Sequence, residues 1–357
     1  MAAYLLRRLL LIIPTLFGII AINFFVVQLA PGGPVEQAIA QLKGHGGSMG
    51  MGGAAASEAA MPSVGLYRGE QGIDPQMVAQ MRHMFGFDKP PLTRFGLMLK
   101  GYLTLNLGQS FFLGQSVWSL ILQRIPVSIS LGLWSTLLIY LISIPLGIAK
   151  ATRDGSRFDL VSSLIVLIGY AIPGFLFAIL LIVVFAGGTA VQWFPLRGLT
   201  SAGSQHWPWP QRALDYGWHM VLPTVAMVVG GFASLTMLTK NCFLEEIGKQ
   251  YVLTARAKGA SNQRVLYGHI FRNAMLLIVA GFPAAFISIL FTSALLIEII
   301  FSLNGMGQLG FQAALQRDYP VMFGTLYVFS LLGLVMQIVG DILYTVVDPR
   351  IDFASRR

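Results

Sequence analysis

Residues 251–273 read YVLTARAKGASNQRVLYGHIFRN and form the most polar long segment of an otherwise largely apolar chain. Arginine, lysine and histidine recur along the segment, and small residues cluster at its middle around Gly259. Apolar runs flank it on both sides. This pattern indicates a polar loop between two membrane-spanning helices. We expect the other segments to hold the loop against a partner on one side of a membrane.

The composition is that of a polytopic membrane protein. Of the 357 residues, 55% are hydrophobic and 11% are charged, whereas a soluble domain carries about 25% charged residues. A helix needs about 20 apolar residues to cross a bilayer. The sequence predicts spans at Leu9–Ala30, Val127–Ala149, Leu160–Ala186, Trp218–Leu238, Ala274–Phe301 and Val321–Val347. We therefore predict an all-α fold with about six transmembrane helices in a lipid bilayer.

The distribution of cationic residues sets the orientation. Lysine and arginine are frequent in loops 150–159 and 239–273 and near both ends of the chain, but sparse in 187–217 and 302–320. Cationic loops stay on the cytoplasmic side, so both termini are predicted to be cytoplasmic. The same bias explains the net charge of +9 without nucleic acid, because no motif of nucleic-acid recognition accompanies the charge.

The predicted spans divide the chain into four parts. Residues 1–30 form a first span and residues 31–126 an extracytoplasmic insertion. Residues 127–347 form a core with five spans, and residues 348–357 a cytoplasmic tail. Prolines and glycines at 31–34 end the first span. The insertion includes a low-complexity loop rich in glycine and methionine at 43–61, and the core includes the cytoplasmic loop 240–273.

Motifs of catalysis and nucleotide binding are absent from the sequence. It has no G-x-x-x-x-G-K-[ST] phosphate loop, no H-E-x-x-H metal site and no G-x-S-x-G nucleophile motif. The chain therefore does not itself look like a nucleotide hydrolase, a membrane protease or a lipase. We expect it to be no enzyme and to carry no catalytic residue, metal or cofactor of its own.

Two acidic residues, Glu298 and Asp341, lie within or near apolar spans. A carboxylate in lipid is costly, so each should face a cavity, a partner subunit or the interface. A proton relay through them would make the chain a secondary transporter or channel, and this alternative stays open. Structural pairing or gating fits as well, because Glu298 lies near an outer helix end and Asp341 near an inner one.

Residues that break or bend helices mark further candidates for a gate or a translocation pathway. Such residues help membrane helices to pack closely, and in a translocator they also supply kinks. The candidates besides Glu298 are Tyr170, Pro173, Gly230, Gly231 and Pro283.

The polar loop is predicted to form two helices. The first covers Gln250–Lys258 and ends at Gly259, and the second begins after the N-cap Ser261 and runs to Arg272. This segment could lie on anionic lipid as an amphipathic helix. It could equally dock in a groove of another protein, whose approach the small residues at the bend would permit. Composition alone leaves both interpretations open.

The loop also resembles the EAA loop of permease subunits of binding-protein-dependent ABC importers, in its peptide-permease form. The shared residues lie in Tyr251–Gly259 and His269–Ala274. Other segments that match this family are Tyr4–Leu9, Ala30–Pro34, Phe87–Pro90, Leu107–Ser110, Glu298–Gly307, Arg317–Pro320 and Asp341–Arg350. Within the family, the segments most similar to the YejB-type permeases, which are associated with oligopeptides and microcin C, are Pro31–Val35, Gly169–Gly188 and Phe194–Leu199.

The resemblance implies the fold of a type I ABC importer permease in a bacterial inner membrane. It implies three kinds of partner: a second homologous permease, ATPase domains that bind ATP and Mg²⁺, and a periplasmic peptide-binding protein. The implied coupling helix, seated in a groove of the ATPase, is Thr254, Ala255, Arg256, Ala257, Lys258, Gly259, Ala260 and Ser261. Structural roles are implied for Asp341, Asp348 and Arg350.

Overall fold

The computed structural model describes residues 2–29, 33, 35–36, 79, 83, 87–187, 191–288 and 294–347. Within these ranges the regular structure is helical, apart from one isolated bridge between Gln109 and Ser116. Loop 43–61, most of the predicted insertion and the tail with Asp348 and Arg350 lie outside the described residues.

Long apolar helices dominate the described residues. The helices are α1 (Ala2–Leu29), α2 (Pro91–Leu103), α3 (Val117–Thr152), α4 (Arg157–Ala171), α5 (Gly174–Phe185), α6 (Trp209–Ile247), α7 (Gln250–Ala257), α8 (Asn262–Val265), α9 (Phe271–Ser288), α10 (Ala294–Ile300), α11 (Met306–Gln316) and α12 (Tyr319–Val347). By length and hydropathy, the candidate spans are Leu6–Leu29, Val117–Thr152, Trp209–Ile247, Asn262–Ser288 and Tyr319–Leu343, with the bent pair α4–α5 as a sixth. The prediction of an all-α protein with about six spans is confirmed.

Several helix boundaries follow from local sequence signals. Pro91 opens α2 and Pro210 lies in the first turn of α6, where a missing backbone N–H costs nothing. Ser156 caps α4 by accepting a hydrogen bond from the backbone N–H of Asp159. At α4 and α6 these signals start the helix before the predicted span, at Arg157 and Trp209.

The third predicted span, Leu160–Ala186, is bent in the structure. Helices α4 and α5 meet there at an angle of 91°. Ile172, with φ −85° and ψ 118°, ends α4, and Pro173 is the N-cap of α5. Proline disfavours helical geometry in the residue before it, so the predicted breaker lies at the bend. The prediction of one continuous span is therefore corrected to two shorter helices.

The loop helix and the span that follows it form one element. Helix α8 continues through a π-helical turn, Leu266–Ile270, into α9, and the whole segment Asn262–Ser288 is long enough to span. The second loop helix therefore does not stop at Arg272 as predicted but runs on into the bilayer. Of the predicted span Ala274–Phe301, α9 covers the part up to Ser288 and α10 covers Ala294–Ile300, while residues 289–293 lie outside the described residues. Helix α8 is thus continuous with a spanning helix.

The chain divides into two compact units. The larger unit is Met1–Leu16, Ile121–Phe311 and Tyr327–Arg357, and the smaller unit is Phe17–Leu120 and Gln312–Leu326. One core of the larger unit joins α3, α5, α6 and α10 through Leu131, Ala178, Ala226 and Ile297. On α4, by contrast, Leu160, Leu164 and Leu167 form an exposed apolar stripe. Such a stripe requires apolar surroundings, which lipid provides.

Candidate functional site

The polar loop folds as a short helix, a tight turn and a second helix start. Gly259 follows α7 with a φ of 80°, in the left-handed region that favours glycine. Its backbone N–H donates to the carbonyl oxygen of Arg256 at 2.9 Å. Ser261 caps α8, because its hydroxyl accepts a hydrogen bond from the N–H of Arg264 at 3.4 Å. The break and the cap lie at the predicted residues.

One side of this loop is buried and the other is exposed. Val252, Val265 and Ile270 are buried against Phe243 and Ile278, which belong to α6 and α9. Ala255 and Ala260 are half-buried and pack against the same cluster. The remaining predicted coupling residues are exposed, namely Thr254, Arg256, Ala257, Lys258, Gly259 and Ser261. The loop is therefore anchored through its apolar side and presents small and basic residues outward.

Glu246 fixes the loop to the end of α6. Its carboxylate is buried, pairs with Lys249 and accepts a hydrogen bond from the Tyr251 hydroxyl at 2.5 Å. The hydrogen bond with Glu246 raises the pKa of Lys249, because the carboxylate favours the charged ammonium. Burial, and then the bond to Glu246, raise the pKa of Tyr251. The carboxylate thus locks the first turn of α7 to α6.

A second set of charges joins α3, α4 and α6 at the ends that the charge distribution places in the cytoplasm. We call Lys150, Asp154, Asp159 and Lys240, with the nearby serine hydroxyls, the cytoplasmic network. The Lys150 Nζ atom, with no exposed surface, lies 3.0 Å from Asp159 Oδ1. It also donates to the Asp159 carbonyl at 3.0 Å, to Ser162 at 3.0 Å and to Ser163 at 2.6 Å. Lys240 bridges Asp154 and Asp159, at 2.7 Å from each.

Glu298 lies in a different environment at the outer ends of the helices. Its carboxylate has no exposed surface and accepts hydrogen bonds from the Ser128 hydroxyl and the Gln308 backbone N–H, both at 2.8 Å. The Ser128 oxygen in turn accepts from the Met306 N–H at 2.8 Å. A Cβ atom at Gly305 would overlap the Glu298 carboxylate. We call this group, built on Glu298, the outer network.

A cavity of about 580 Å³ lies between α3, α5, α6 and α9 in the larger unit. Small and apolar residues line it, including the predicted pathway residues Gly230 and Gly231, and none of the described lining residues is charged. A Cβ atom at Gly231 would meet the Ile139 side chain at 2.5 Å, so the glycine permits close helix packing. A solute in this cavity would therefore meet no charged side chain of the described lining.

The other predicted pathway residues are dispersed. Tyr170 lines a separate cavity of about 270 Å³ between α4 and α6, and Pro173 lies at the α4–α5 bend. Pro283 lines a cavity of about 640 Å³ beside Asp341. Glu298 is not among the residues that line these cavities. The pathway roles of these residues stay predictions.

Asp341 pairs with a cation from the start of the chain. The Arg8 Nη1 atom lies 2.8 Å from Asp341 Oδ2, and both side chains are partly exposed. This contact ties α1 to α12 at their cytoplasmic ends, and the structural role of Asp341 stays a prediction. No group of three His, Cys, Asp or Glu side chains in the described part of the chain is arranged to hold a metal ion.

Comparison with known proteins identifies the family. Residues 143–353, more than half of the chain, match the family described as "binding-protein-dependent transport system inner membrane component". The chain belongs to this family. It is therefore a multi-pass inner-membrane permease component, and the resemblance predicted from the loop motif is confirmed.

Individual relatives in the permease family match the chain over its whole length. It is 58% identical to the "inner membrane ABC transporter permease protein YejB" of Escherichia coli O157:H7, over 100% of both chains. It is 55% identical to the "peptidoglycan transport system permease protein YejB" of Agrobacterium fabrum, again over 100% of both. The "oligopeptide transport system permease protein AppB" of Bacillus subtilis is 32% identical, over 99% of this chain and 100% of the relative.

Among solved structures, the chain is similar to an inward-facing form of the MetNI methionine ABC transporter. The two share 20% sequence identity with a TM-score of 0.49, over 64% of this chain and 97% of the other.

The polar loop of this permease is predicted from the sequence, but the ion pairs beside it are not. Lys150, Lys240 and Lys249 count in the sequence only as cations that set the orientation. The structure shows that each has a carboxylate partner. A signal was present at Glu246 and Lys249, since a carboxylate three residues before a lysine can pair with it across a helix end. Lys240 and Asp159 are far apart in the chain, so only the fold brings them together.

Proposed function

We propose that this chain forms half of the translocation pathway of an ATP-driven importer for oligopeptides or peptide-like compounds of the microcin C type. The observation that carries the proposal is its 58% identity, over both full lengths, to an inner-membrane ABC transporter permease. The names of two further relatives, which refer to peptidoglycan and oligopeptide transport, support a substrate built from amino acids.

The proposed machine contains three kinds of partner. A second homologous permease, a different chain, completes the pathway. An ATPase with two domains, in one chain or two, binds ATP and Mg²⁺ on the cytoplasmic side, and a periplasmic peptide-binding protein delivers the substrate. This chain supplies no cofactor. The uncharged lining of the cavity at Gly230 and Gly231 supports a pathway that tolerates varied side chains and leaves selection to the binding protein.

The exposed side of the polar loop, residues 251–273, is the proposed contact with the ATPase. Its small residues let a groove approach the backbone at Gly259, and Arg256 and Lys258 add charge around the contact. The loop is rigid enough to transmit force, because Val252 and Val265 anchor it to the α6–α9 core. Closure of the ATPase domains would then tilt α9 through the continuous α8–α9 element.

Uptake into vesicles tests the function. The chain is co-purified with the second permease, the ATPase and the binding protein, and uptake of a labelled oligopeptide is measured with ATP or with an imposed proton gradient. We expect uptake with ATP alone and none with the gradient alone. Uptake driven by the gradient without ATP would replace the proposal with the secondary transporter that uses Glu298 and Asp341. Uptake of an amino acid but not of peptides would overturn the proposed substrate.

Two loop variants test the coupling role. In Gly259→Asp and Arg256→Glu, we expect assembled complexes that hydrolyse ATP but lose at least tenfold in peptide uptake per ATP. Gly203→Asp is a matched control, since Gly203 also has a φ of 80° and open space around it but lies on the outer side. Unchanged uptake per ATP in both loop variants, or an equal loss in the control, would refute the coupling role.

A further inference from the structure

A cavity in the smaller unit combines an apolar wall with two cations. Its volume is about 380 Å³, and the residues that line it include Phe24, Leu97 and Phe323 on the apolar side and Lys89 and Arg94 on the other. These residues come from α1, α2, α12 and the turn before α2. The proposed transport function uses none of them.

Arg94 is held in place but keeps unused hydrogen-bonding capacity. Its Nη2 atom donates to Gln28 Oε1 at 2.8 Å, and its guanidinium carbon lies 4.3 Å from the centre of the Phe87 ring. Its Nε atom is buried and has no hydrogen-bond partner. Among the described residues no carboxylate lies within ion-pair distance of Arg94 or Lys89. An anion with several oxygens would satisfy this pattern, because arginine donates in a planar fork.

The cavity lies at the depth of a lipid headgroup. Helix α1 runs outward from the cytoplasm in the predicted orientation, and Phe24 and Gln28 lie in its last two turns. Phe323 lies in the second turn of α12, which enters the bilayer from the same side. Aromatic rings and cations are typical of this interfacial layer. Below it, exposed apolar residues such as Phe17 and Ile22 continue the surface towards the bilayer centre.

We propose that this cavity binds an anionic phospholipid of the outer leaflet. The phosphate contacts Arg94 and Lys89, and the upper part of an acyl chain lies along Phe24, Leu97 and Phe323. A lipid fits better than a free anion, because most of the exposed lining is apolar. It also fits better than a passing peptide, because two of the lining helices are membrane spans. The bound lipid would fasten α2 to the ends of α1 and α12.

Native mass spectrometry of the purified complex tests the proposal. Delipidated complex is titrated in separate arms with phosphatidylglycerol, phosphatidylcholine, inorganic phosphate and a dipeptide. We expect phosphatidylglycerol to be retained most strongly. Each cation near a membrane surface contributes about 1 kcal/mol, which is about a fivefold change in affinity. Lys89→Gln should therefore weaken retention about fivefold, and Lys89→Gln with Arg94→Gln about 30-fold.

Lys100→Gln is the matched control. Lys100 is an exposed cation on α2, the helix of Arg94, but it does not line the cavity. Retention in this variant should equal that of the unaltered complex. Lys89 is exposed, so its single variant remains a test even if the double variant fails to fold. Equal retention of phosphatidylcholine, tighter binding of phosphate or dipeptide, or an equal effect of Lys100→Gln would each overturn the proposal.

Discussion

The two ends of the larger unit hold buried carboxylates in opposite ways. In the cytoplasmic network, Asp159 lies between Lys150 and Lys240, so each charge is balanced by an opposite charge. In the outer network, the described donors within hydrogen-bond distance of Glu298 are neutral, namely the Ser128 hydroxyl and the backbone N–H groups of Gln308 and Gly307. The first arrangement ties three helices together. The second holds a turn that leads into α11.

This difference bears on how a permease of this family can move. Removal of one partner from a balanced ionic network leaves a buried charge uncompensated, so such a network resists rearrangement. A carboxylate held by neutral donors can exchange these hydrogen bonds for bonds to water at a lower cost in free energy than an ion pair can. We infer that the cytoplasmic ends of α3, α4 and α6 move as one body with the polar loop, and that the turn around Gly305 is the part that can rearrange.

The largest expected effect is that of Lys150→Met. The change removes a fully buried ammonium and leaves Asp159 with one cation instead of two, so we expect a loss of about 3–5 kcal/mol in the free energy of unfolding. Thermal unfolding of the complex in detergent, together with the yield of folded protein, measures it. Arg153→Gln is the control, since Arg153 is exposed and loses only a contact over the Phe158 ring, so it should change stability by less than about 1 kcal/mol. Equal stability of the two variants would refute the balanced-network interpretation.

Gly305→Ala should rank second. The new methyl group would overlap the Glu298 carboxylate, and overpacking of this kind costs about 1–3 kcal/mol. The same assay applies, and Gly333→Ala is the control, because nothing lies within 4 Å of a Cβ atom at Gly333. Glu298→Ala in the Gly305→Ala background should restore part of the loss. Strictly additive losses in the double variant would mean that the two residues do not touch.

Glu298→Gln should have a smaller effect on stability. The amide keeps the size of the side chain and one acceptor oxygen, but its NH₂ group would face a donor, so we expect a loss of about 1–2 kcal/mol. Ser135→Ala is a control on α3, because the buried hydroxyl of Ser135 donates to the weak acceptor Met227 Sδ. If Glu298→Gln lowers ATP-driven uptake while the complex stays assembled, Glu298 acts at a gate. Unaltered uptake would leave it a packing role.

The helix break and the helix cap of the polar loop can be predicted from local sequence signals. Contacts between residues far apart in the chain cannot be predicted in this way. Pro173, Gly259 and Ser261 act on their own backbone, and each lies where the sequence predicts a break or a cap. Asp159 and Lys240 meet only because α4 packs on α6. The α4–α5 bend shows the same limit, since a breaker in an apolar run does not determine whether the helix kinks slightly or turns by 91°.

Asp341→Asn should have the smallest effect on stability. The variant also distinguishes a structural ion pair from a proton relay. The Arg8–Asp341 pair is partly exposed, with 29% and 15% of the two side chains accessible. Ion pairs of this kind contribute about 0–1 kcal/mol and weaken in salt. We therefore expect nearly unchanged unfolding and ATP-driven uptake that persists in Asp341→Asn, with Arg8→Gln as the matched change on the other partner. A proton relay requires a titrating carboxylate. If Asp341→Asn abolished uptake and Arg8→Gln did not, Asp341 would carry protons. The contrast between a fixed cytoplasmic end and an outer end that can rearrange would then no longer hold.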